Sequence, residues 1–103
     1  MAKQPLKQKP KLLPGDKQVR DSLQKHLSKI QEVDAVFVAA ADKVVHVYSV
    51  VREHGRFYQK LMKQEQLIEK EWPNVTFDFH VRAHQGREPF LAVPHGSQII
   101  YTR

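Results

Sequence analysis

Cysteine is absent from these 103 residues, which removes disulfide frameworks, thiol catalysis and thiolate metal sites together. Glycine is scarce. The four glycines, Gly15, Gly55, Gly86 and Gly96, fall in no G-x-G-x-x-G or G-x-x-x-x-G-K pattern, so no phosphate cradle is expected. No apolar run approaches the ~18 residues of a membrane span, and no membrane partner is expected. Residues 1–15 lack the apolar stretch of about 7–15 residues that a secretory signal carries. They are also poor in serine and arginine, unlike a transit peptide. The expected location is cytoplasmic. A chain of this length forms one domain, burying about 60–65% of the surface that its unfolded form exposes.

Positive charge is present in excess but unevenly placed. Lysine and arginine number 17 against 11 acidic residues. Residues 1–20 hold Lys3, Lys7, Lys9, Lys11, Lys17 and Arg20 against Asp16 alone, while the remainder holds 11 basic and 10 acidic residues. The body is therefore almost neutral. Any contact with a nucleic acid is expected to run through those six cations, to be salt-sensitive and to lack sequence preference. The same composition, MAKQPLKQKPKLLPG, also describes a disordered basic leader over 1–15 that keeps the protein in solution. The single domain is expected over 16–103.

Within that domain, Pro14-Gly15 is a stop and Asp16 a helix N-cap. Val19, Leu23, Leu27 and Ile30 recur on one stripe, predicting a helix from about 17 to 31. Ala35–Ala41 and Val44–Val51 are short runs rich in alanine and β-branched residues, joined by Asp42-Lys43. So short a connection predicts an antiparallel hairpin. A second helix, the longest element, carries Phe57, Leu61, Ile68 and Trp72 inward and stops at Pro73-Asn74. Val75–Arg82 alternates strictly, with Val75, Phe77, Phe79 and Val81 on one face and Thr76, Asp78, His80 and Arg82 on the other. A polar loop, a turn at Pro94–Gly96 and a short strand at 98–102 complete the chain. The order α-β-β-α-β-β predicts an α+β two-layer sandwich, with both helices packed on one face of a mainly antiparallel sheet and the other face open. Pairing order is not fixed by these patterns.

The open face holds the candidate chemistry. If the second and third strands are neighbours, His46, Tyr48, Asp78, His80 and Arg82 share one surface. An aspartate beside a histidine orients an imidazole, and an arginine holds an anion. The same face also reads as ordinary solvated cross-strand pairs. Six histidines are present, but none shows H-x-x-x-H spacing on a helix, and His80 and His84 start on a strand and finish in a loop. No metal and no cofactor is expected. Gln85-Gly86-Arg87 offers a loop amide and a guanidinium to an anion, or is a plain turn. Phe57, Tyr58, Trp72, Phe77 and Phe79 are expected in the core, with Tyr48 and Tyr101 exposed.

From Val44 to Arg82, the strand VVHVYSVV, the long charged helix and the stretch WPNVTFDFHV resemble small uncharacterised bacterial α/β proteins. Some of these look like reduced relatives of the nucleotidyltransferase fold. The resemblance implies a non-catalytic member. No Gly-Ser follows the first strand, no D-x-D closes the second, and His46, Val47 and Tyr48 stand where metal-binding carboxylates would sit. The expected function is a non-enzymatic interaction module that binds a protein partner, or forms a homo-oligomer, through His46, Tyr48, Asp78, His80 and Arg82. A nucleic-acid-binding accessory role led by the basic leader is the alternative.

Overall fold

A computed structural model describes residues 16–103. The expected leader over 1–15, with Lys3, Lys7, Lys9 and Lys11, lies outside the described residues. Asp16 caps the first helix, α1 (Lys17–Leu27), with its carboxylate accepting from the Gln18 amide at 3.0 Å. This helix ends four residues earlier than its apolar stripe suggests. The Lys29 and Ile30 amides bond to His26 and Leu27, three residues back, so the chain tightens while Ile30 stays buried. The strands β1 (Val33–Ala41) and β2 (Val44–Val51) then form the expected antiparallel hairpin. Its turn residues, Asp42 and Lys43, have φ of 52° and 65°. Both lie in the left-handed region that a two-residue hairpin turn requires, without a glycine to ease it.

Helix α2 (Tyr58–Glu71) returns the chain across one sheet face, so β3 (Thr76–Ala83) lies parallel to β2. A short 3₁₀ turn (Pro89–Ala92) precedes β4 (Gln98–Thr102), which pairs antiparallel with the other side of β1. The four-stranded sheet is mixed, in the order β3-β2-β1-β4. The protein is thus a small α+β fold in the expected element order. Among the described residues no helix is long and apolar enough to cross a membrane.

Both helices cover the same face. Val19, Leu23 and Leu27 of α1 and Leu61 and Ile68 of α2 pack with Phe57 onto Val36 and Val38 of β1 and Val45, Val47 and Val51 of β2. Phe77, Phe79 and Val81 of β3 extend this layer, as their alternation predicts. Each such side chain withdrawn from water contributes roughly 1.5–3 kcal/mol. Tyr58 is a correction to the expected core: it is 42% exposed and stacks on His54 at the start of α2. The opposite face is not fully open either. Ala35, Phe37, Tyr48 and Val50 form a second apolar cluster there, against which Ala92 and Val93 from the 3₁₀ segment pack. A four-residue turn has no periodicity to read, so the sequence leaves this cover invisible.

Candidate functional site

The adjacency of β2 and β3 decides the site. In the parallel register His46 faces Asp78, Tyr48 faces His80 and Val50 faces Arg82. Val45, Val47, Phe77 and Phe79 point to the helices, so His46, Tyr48, Asp78, His80 and Arg82 emerge together on the other side. The expected convergence of all five is therefore present.

Its core is a triangle. His46 Nδ1 lies 3.2 Å from His80 Nε2. Asp78 Oδ2 lies 3.5 Å from His46 Nδ1 and 3.4 Å from His80 Nε2. Each of the three side chains reaches solvent: His46 and His80 are about one-quarter exposed and Asp78 about one-half. The Tyr48 ring stacks on His80 with centroids 4.7 Å apart and planes 15° from parallel, which fixes the imidazole. Arg82 lies over the Tyr48 ring itself, with its guanidinium carbon 5.4 Å from the ring centroid. Tyr48 itself is only 6% exposed, a correction to its expected exposure. Arg82 and the 3₁₀ segment account for the difference, and Tyr48 serves as the floor of the site.

This group follows none of the metal-ligand spacings that a sequence displays within one element. His46, Asp78 and His80 each offer one donor atom, and the three lie within 4.8 Å of one another. Such patterns test spacing within one helix or loop, whereas here β2 supplies one donor and β3 supplies two at i and i+2. The alternation of β3 places Asp78 and His80 on one face, but only the strand order adds His46.

Two other histidines occupy closed settings. His84 is buried, with Nε2 at 2.8 Å from Asp34 Oδ2. Its Nδ1 accepts from the Gly86 amide at 2.9 Å, so the proton sits on Nε2 and is given to Asp34. The Gln85-Gly86-Arg87 loop amide is thereby used within the protein and is not offered to an anion. His26 is held between the helices, with Nδ1 3.1 Å from Gln64 Oε1 and Nε2 3.4 Å from Glu71 Oε1. The Ser22 hydroxyl, donating to Glu71 Oε1, is the main cause that holds the Glu71 carboxyl below its ordinary value. Burial opposes it, and His26 adds to the lowering.

Of the cations expected to meet nucleic acid, Lys17 pairs with Asp21 one helical turn away at 2.6 Å. Arg20 donates to Gln98 Oε1 at 3.4 Å, linking α1 to β4. Two exposed apolar side chains on the 3₁₀ segment carry no periodic signal in the sequence: Phe90 is 58% and Leu91 59% exposed. No protein-family model matches the chain, and no curated protein matches it.

Proposed function

We propose that the protein is a binding module that engages a protein partner through the sheet face opposite the helices. The observation that carries this reading is the grouping of His46, Tyr48, Asp78, His80 and Arg82 on the β2–β3 half of that face. Arg82 supplies a planar cation over an aromatic floor, and Phe90 and Leu91 on the segment packed on the same face supply apolar anchors. Arginine and aromatic side chains of this kind carry a large share of binding energy at protein interfaces. The two imidazoles share one carboxylate, an arrangement suited to holding a ligand in place.

The test is differential capture by immobilised full-length protein. Polypeptides retained by the unmodified chain and by a variant on the helix side, Lys63→Glu, should be lost from an Arg82→Glu, Phe90→Ala double variant. An identical set retained by all three proteins contradicts the reading.

The clustering of basic residues within 1–20 favours a second reading, a nucleic-acid accessory role. It requires affinity for mixed-sequence DNA or RNA that falls by roughly an order of magnitude or more between about 50 and 200 mM salt. It also requires a further loss on removal of residues 1–15. Salt-insensitive binding, or none at low salt, excludes it.

A further inference from the structure

The geometry points to a zinc site formed by His46 Nδ1, His80 Nε2 and an Asp78 carboxylate oxygen, independent of the protein-binding reading above. A tetrahedral Zn²⁺ with bonds of about 2.0–2.1 Å sets its ligand atoms about 3.4 Å apart. The three edges of the triangle are 3.2, 3.4 and 3.5 Å. The donors therefore stand where a tetrahedral ion needs them, with no rearrangement of the strands. An octahedral ion of similar bond length calls for edges of about 3.0 Å, shorter than all three.

Protons satisfy this triangle poorly. A charge-assisted hydrogen bond between imidazolium and carboxylate is about 2.7–2.9 Å long, and both histidine–aspartate edges exceed 3.3 Å. One proton on the nitrogen–nitrogen edge leaves the carboxylate without a short partner. One cation at the centre serves all three atoms at once. Two neutral imidazoles and one carboxylate are also the donor set that favours zinc over magnesium or calcium, which take mainly oxygen ligands.

The surroundings support a preformed site. Stacking on Tyr48 fixes the His80 ring, and the parallel ladder fixes the separation of His46 from Asp78. Partial exposure of all three side chains gives the ion a path in. Three protein ligands leave the fourth position open on the solvent side, for a water or a donor from a bound molecule.

The test is calorimetric titration of Zn²⁺ into the chelator-treated full-length chain. One ion per chain is expected, undisturbed by millimolar Mg²⁺. Asp78→Asn, which keeps the side-chain shape, and His46→Ala and His80→Ala should each weaken binding about tenfold or more, since even outer-sphere changes reach that size. Circular dichroism establishes that each variant is folded. A control lacking the exposed His54 and His95, as His54→Ala, His95→Ala, should bind zinc as the unmodified chain does. The assignment is overturned if the unmodified chain binds no zinc, if Asp78→Asn binds equally well, or if the control loses binding.

Discussion

The two faces of the sheet obey different rules, and the histidines show it best. On the helix side the layer is closed by Val, Leu and Ile, and His26, the imidazole between α1 and α2, has both nitrogens engaged by Gln64 and Glu71. On the other side His46 and His80 turn nitrogens toward each other and toward a single carboxylate, within reach of solvent. An imidazole with both nitrogens engaged is part of the frame. One that shares an acceptor with its neighbour has coordination capacity left over. His84 follows the same rule as His26: it is buried, with Nε2 on Asp34 and Nδ1 on the Gly86 amide, so burial and the count of committed ring nitrogens sort the histidines alike.

The contrast makes the closed face the place where substitutions cost most. Phe57→Ala removes a ring only 1% exposed, between α2 and the sheet, and should destabilise by about 3–5 kcal/mol in urea unfolding. A loss below about 1 kcal/mol would mean that the helices do not seal this face.

The next effect is one of pH. Burial, reinforced by the neighbouring Glu69 carboxylate, pushes the Glu65 carboxyl up to about 7 from an ordinary 4.5. The folded state then binds this proton more tightly than the unfolded state. Its favourable contribution is complete below 4.5 and is lost as pH rises through 7. Solvent screens this partly exposed carboxyl, so Glu65→Gln should gain only about 1–2 kcal/mol at pH 8 and nothing at pH 4. An equal change at both values contradicts the burial of the carboxyl.

A smaller gain is expected at Ser49, whose hydroxyl is buried between Val47 and Val51 of β2 with no hydrogen-bond partner among the described residues. Ser49→Ala should stabilise by about 1 kcal/mol, because a buried hydroxyl with no partner opposes folding. A clear loss would reveal a partner for that oxygen. The smallest change belongs to the other face. Phe90→Ala should leave stability within about 0.5 kcal/mol while reducing partner capture. A large loss of stability there would make Phe90 part of the frame.

Much of the frame was legible in the residues themselves. The alternation of Val75–Arg82, the Asp16 cap, the Asp42-Lys43 turn and the stop at Pro73 are local signals, each enforced within a few residues. The site was legible only conditionally. Alternation sets Asp78 beside His80 on one face, but whether His46 joins them depends on α2 returning the chain to the β2 edge, where it packs beside α1. That choice is made by tertiary packing and leaves no short-range mark. The cover over Tyr48 was hidden for a related reason. The 3₁₀ segment reaches the face only because β4 pairs with β1 on the far side of the sheet.

The most direct test of the difference between framing and binding histidines is a zinc titration followed by imidazole nitrogen and carbon resonances in solution. The account predicts that His46 and His80 shift together and saturate at one ion per chain, while His26 and His84 stay unchanged. Shifts confined to His54 and His95, or spread evenly over all six histidines, would contradict it.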